Sequence, residues 1–126
     1  MRVLYSNVGN GVTRRKKILE YLQSVKTAFS VVFIAEQVKK DVTLEPLYKN
    51  YVTTLDALPN NRGLAAYYDP TIPGCPETFS VDNEFDIITG SLNVERKNGT
   101  KQRHVIGTYR NHSDDTTTYL NKLKGD

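Results

Sequence analysis

An α/β (α+β) fold, a mixed sheet with helices on one face, is predicted by three features of the sequence. Ile18, Leu19, Leu22, Val25 and Phe29 recur at spacings of one, three and four, the apolar stripe of an amphipathic helix. Val31-Val32-Phe33-Ile34-Ala35 is a continuous apolar run of strand length, the pattern of a strand covered on both faces. Farther along, Phe85 to Thr89 and Ser91 to Glu95 alternate with period two ahead of Asn98-Gly99, a strong two-residue hairpin signal.

Taken in order, Arg2 to Asn7 is a short β-prone run that meets the Gly9-Asn10-Gly11 turn. Thr13 is then a plausible N-cap for a helix over Arg14 to Ala28. With the apolar run after it, the segment has the size of a strand-helix-strand crossover, about 35 residues. Tyr51 to Leu55 reads as a short strand between loops, and Gly63 to Tyr68 as a core strand stopped by Asp69-Pro70 and the Pro-Gly-Cys-Pro loop. Arg103 to Tyr109 is the return strand of the hairpin. Ser113-Asp114-Asp115 caps a short terminal helix whose apolar side is Tyr119, Leu120 and Leu123. No composition break divides residues 1–126, so one domain is expected.

Composition narrows the function classes. A chain of 126 residues builds its core without staples, and the single Cys75 cannot form an internal bridge, which points to a reducing compartment. The longest apolar stretch, Phe29 to Ala35, is far short of a membrane span, and the opening Met-Arg-Val-Leu-Tyr-Ser-Asn has no signal-peptide core. An intracellular protein, cytoplasmic or nuclear and without a membrane partner, is therefore expected. The net charge of +3 permits a polyanionic partner without demanding one. Walker loops, dinucleotide fingerprints and zinc spacings are not found in the sequence.

Three segments fall in a familiar order: Tyr5-Ser6-Asn7-Val8-Gly9, then Val31-Val32-Phe33-Ile34-Ala35-Glu36-Gln37, then Val105-Ile106-Gly107-Thr108-Tyr109-Arg110-Asn111. In this order the chain resembles the endonuclease/exonuclease/phosphatase superfamily, and within it the amino-terminal half of the endonuclease domains of LINE-type retrotransposons. The resemblance implies a half or shortened form of an αββα sandwich and a Mg²⁺- or Mn²⁺-dependent phosphodiesterase that nicks DNA. The family's later Asp-x-Asn pair and its Ser-Asp-His, which carries the general base, have no counterpart here. The resemblance thus implies a domain incomplete on its carboxy-terminal side, with little or no turnover of its own.

Glu36 stands where the buried run ends. Mg²⁺ uses one or two carboxylates plus waters and substrate phosphates, so Glu36 is the candidate metal ligand; a solvated strand-end glutamate is the alternative. The resemblance implies that Asn7 lies beside the metal and Glu36, and that Tyr109 sets its phenol against the scissile phosphate. From the residues alone, Asn7 reads as a turn residue bonding its own backbone, and Tyr109 equally as an aromatic at the sheet rim. For gripping DNA phosphates the candidates are Arg14, Arg15, Lys16 and Lys17 at the helix start and Arg96, Lys97, Lys101 and Arg103 around the hairpin tip. Lys39, Arg110 and His112, near the strand ends, join them; solvated faces are the alternative for all. His104, inside a strand pattern, reads as structural. A noncatalytic α/β module that binds nucleic acid or a protein is the other function class, and a half sandwich with one bare apolar sheet predicts a homodimer.

Overall fold

The computed structural model describes residues 1–7, 12–25, 28–38, 44, 47–54 and 62–109, without the side chains of 12–15, 37, 38 and 62. Their order is β1 (Val3–Asn7), α1 (Val12–Ser24), β2 (Val31–Val38), β3 (Asn50–Thr53), β4 (Arg62–Tyr68), β5 (Thr78–Asp82), β6 (Ile87–Arg96) and β7 (Gly99–Thr108). This is a mixed α+β fold with one helix among the described residues and two sheets, β1-β2-β4-β3 and β5-β6-β7. β1 runs parallel to β2, as a strand-helix-strand crossover requires, and the other pairs are antiparallel.

The layers follow from the two faces of β2. Val32 and Ile34 face α1 and join Leu22, Phe29, Ala65 and Tyr67, while Val31, Phe33 and Ala35 face the second sheet and join Leu64, Ala66 and Ile88. All five β2 residues are essentially buried, so the unbroken apolar run is explained by two covered faces. Gly107 lets the sheets approach: a Cβ there would lie 2.8 Å from Phe33 Cγ and closer still to the ring edge. Among the described residues, the helix, the four-stranded sheet and the three-stranded sheet stack as three layers, with the helix on the face of the four-stranded sheet away from the second sheet.

Some local expectations shift. α1 begins at Val12, which puts Thr13 inside it, and ends at Ser24, whose hydroxyl donates back to the Tyr21 carbonyl at 2.7 Å. Phe29 lies beyond the helix but still enters the core beneath it. β5 has no predicted counterpart. The hairpin turns on Lys97-Asn98 rather than Asn98-Gly99, because Arg96 pairs with Gly99, which takes φ +116°.

The outer face of the second sheet carries Thr78, Ser80, Thr89, Ser91 and His104 by register, with Ile106 the large exposed apolar residue among them at 54%. Among the described residues this face is mostly hydroxyl-bearing, as on the solvated side of an antiparallel sheet, and the buried Ile87 shares it. No helix among the described residues is long and apolar enough to cross a membrane. Arg110, His112 and the terminal helix expected after Ser113 lie outside the described residues, as does Lys39.

Candidate functional site at the strand ends

β1, β2 and β3 all point the same way, so their carboxyl ends share one end of the sheet. Asn7 is the last residue of β1 and pairs with Ala35, the neighbour of Glu36. Glu36 is the extra residue of a β-bulge, lying between Ala35, which pairs with Leu64, and Gln37, which pairs with Gly63. Its φ is +58°, in the left-handed region that a glutamate rarely adopts. Bulges of this kind re-aim side chains and terminate pairing, and they recur beside active sites.

A second carboxylate reaches the same end by a different route. Asp82 accepts hydrogen bonds from the backbone N–H groups of Glu84 and Phe85, at 3.0 and 3.1 Å, which fixes the turn before β6. Phe85 is buried, and Asp86 follows it with φ +52°. The buried Thr54 hydroxyl donates to Asp86 Oδ1 at 2.5 Å, a short charge-assisted bond, while Thr54 Oγ1 accepts from the Leu64 N–H at 2.9 Å. Leu64 is the residue paired with Ala35, so this chain of contacts runs from Asp86 to the strand position beside Glu36.

Tyr109 closes the set. Its backbone N–H donates to the Asp86 carbonyl at 3.0 Å, and its side chain packs against the core between the sheets. Tyr5, on the face of β1 shared with Asn7, donates its hydroxyl to the Thr108 carbonyl at 2.9 Å. Tyr109 is thus held as an aromatic packed at the sheet rim.

Asn7, Glu36 and Tyr109 thus stand at one end, with Asp86 and Thr54 as members that sequence reasoning misses. Glu36 and Asp86 are the two non-glycine residues with positive φ among the described residues, both acids and both at this end. The Asp86–Thr54 contact spans 32 positions, so no local pattern signals it.

Lys16 and Lys17 are exposed on α1, where Arg14 and Arg15 belong to its opening turns. His104 is exposed on the outer sheet face, with Nδ1 2.9 Å from Ser91 Oγ, remote from the strand ends. Cys75 is buried, and desolvation pushes its thiol up from the ordinary value. Two open apolar clefts, one lined by Leu22, Phe29 and Tyr48 and the other by Met1, Ser30 and Pro73, lie toward the opposite end, where β1 and β2 begin. Among the described residues no group of three or more His, Cys, Asp or Glu is placed to hold a metal ion. Comparison with protein-family models, with curated proteins and with solved structures finds no match to this chain.

Proposed function

We propose that this chain is a metal-dependent phosphodiesterase domain of the endonuclease type, acting on DNA at the end of the sheet that carries Asn7, Glu36 and Tyr109. The observation that carries the reading is the left-handed bulge at Glu36, a costly backbone for a glutamate, placed where β1 and β2 end beside Asn7. The donor set fits a hard cation: a carboxylate from Glu36 and an amide oxygen from Asn7, with waters and phosphate oxygens filling the remaining positions of Mg²⁺ or Mn²⁺. Such a site does not call for three protein acids. When bound, the ion supplies charge neutralisation at the phosphoryl and leaving oxygens.

The chain's own groups do the rest. Glu36 holds its carboxylate at the strand end, and Asn7 orients it and a phosphate through its amide. Tyr109 donates its phenolic hydrogen to a phosphate oxygen. Asp86 acts as a positioning residue, since its carbonyl fixes the Tyr109 backbone and its carboxylate is held by Thr54. None of these groups is assigned as the base that activates water, so slow turnover belongs to the proposal.

The test is nicking of supercoiled plasmid with Mg²⁺ or Mn²⁺, beside Glu36→Gln and an EDTA control. Slow relaxation by the wild type, lost in both controls, is expected. Plasmid binding with no nicking under any condition would favour a noncatalytic DNA-binding module.

A further inference from the structure

β5 stops pairing at Ser91, so β6 and β7 continue beyond it as a two-stranded ribbon. Its five cross-strand pairs are Leu92 with Arg103, Asn93 with Gln102, Val94 with Lys101, Glu95 with Thr100 and Arg96 with Gly99. Every residue from Glu95 to His104 is exposed. Paired residues share a face and alternate pairs share the same one. Following Ile88 and Gly107 outward, the inner face therefore carries Arg96, Lys101 and Arg103 beside Leu92 and Val94. The outer face carries Asn93, Thr100, Gln102 and the ribbon's single acid, Glu95.

The register thus sorts the cations of the ladder, Arg96, Lys101 and Arg103, onto one side, with Lys97 in the turn at the tip. None is opposite an acid: Arg103 faces Leu92, Lys101 faces Val94 and Arg96 faces Gly99. A ribbon built for its own stability sets opposite charges across the strands. Lysines that merely guard an exposed strand edge have no reason to prefer a face. A one-sided basic stripe on a protruding ribbon is instead complementary to a polyanion.

We infer that the β6–β7 ribbon is a docking arm for B-form DNA, with Arg96, Lys101 and Arg103 neutralising backbone phosphates. The major groove of B-DNA, about 12 Å wide, admits a two-stranded ribbon, whereas the narrow major groove of A-form RNA does not. β6 starts beside Asp86 and runs 10 residues away from it, so the tip lies on the order of 30 Å from the strand-end site. That is close to one turn of duplex, roughly 34 Å, and makes the arm a second anchor rather than part of the cleavage site. It stands independently of hydrolysis.

The experiment is fluorescence anisotropy with a labelled 20-base-pair DNA duplex in EDTA, from 50 to 200 mM KCl, with an RNA duplex of the same sequence beside it. Replacing Arg96, Lys101 and Arg103 together by Ser is expected to flatten the slope of log K against log salt by about 2.7, at about 0.9 per phosphate contact. It should weaken DNA binding by on the order of a hundredfold near 0.1 M salt. A second variant restores the net charge on the other face through Asn93→Lys, Thr100→Lys and Gln102→Arg, and is expected to remain weak. Recovery of wild-type affinity by that variant, an unchanged slope in the first, or equal affinity for the RNA duplex would overturn the inference. Lysine acetylation of the unmodified chain gives a readout that needs no variant to fold: Lys101 should become protected when the DNA duplex is added, while Lys49 should not. Equal labelling of Lys101 with and without the duplex would also overturn it.

Discussion

Replacing Thr54 by Val probes the link that holds Asp86 at the strand ends. The side chain is 3% exposed, and valine has nearly the same shape and a comparable strand preference. The substitution removes the oxygen that donates to Asp86 and accepts from the Leu64 N–H. An orphaned buried amide costs about 1–3 kcal/mol and a lost bond to a charged group about 1.5–3 kcal/mol. Because Asp86 is half-buried and can recover water, a sum near 3 kcal/mol is expected. At about 2.1 cal/mol/K per residue, 126 residues give an unfolding entropy of roughly 0.26 kcal/mol/K, so Tm should fall by about 11 °C. Thr54→Ser keeps both bonds and loses one methyl, about 1 kcal/mol and roughly 4 °C. Thermal unfolding followed by circular dichroism compares the two directly. A valine variant as stable as the serine variant would refute the Thr54–Asp86 link as a structural tie.

Three further outcomes follow from the packing and the backbone. Gly107→Ala forces a methyl into the Phe33 ring, which is 1% exposed and has nowhere to go. Urea unfolding should report a loss of about 1–3 kcal/mol, partly recovered when Phe33→Leu is added; no loss would place the sheets farther apart than described. At Glu36, glycine should be more stable than alanine by about 1 kcal/mol, because both lose the carboxylate but only alanine keeps the left-handed strain. Alanine equal to or better than glycine in the same urea titration would remove the strained bulge. For Cys75, desolvation favours the neutral thiol, so the thiolate fraction at pH 8 to 9 is lower in the native chain than in the unfolded one. Iodoacetamide should therefore alkylate native Cys75 more slowly than urea-unfolded Cys75, and equal rates across that range would contradict its burial.

Legibility in the sequence followed the reach of each contact. The apolar run of β2 and the stripe of α1 were readable because each rests on neighbours a few positions away. Asn7 and Tyr109 could be placed at strand ends for the same reason, whereas β2 continues past Glu36 to Val38 and makes it a bulge two residues before the end. β5 was missed because Phe79 and Val81 are its only large apolar positions and its existence depends on pairing with β6. Asp86 looks like an ordinary polar position of the Phe85 to Thr89 strand pattern until Thr54, 32 positions earlier, is brought against it. The left-handed backbone at Glu36 carries no Gly or Asn to announce it. The sorting of the ribbon's cations emerges only once Arg96 is paired with Gly99, since a one-residue slip would send each strand's residues to the other face.

The most direct measurement of the proposed chemistry is a Mn²⁺ titration of the ¹⁵N-labelled chain followed by paramagnetic broadening, because it reads the site without requiring turnover. The resonances of Asn7, Glu36 and their strand neighbours should broaden first, at substoichiometric Mn²⁺, with competition by Mg²⁺ and loss of the effect in Glu36→Gln. Broadening that spares Asn7 and Glu36, or that persists unchanged in Glu36→Gln, would contradict a metal-dependent phosphodiesterase site at the strand ends.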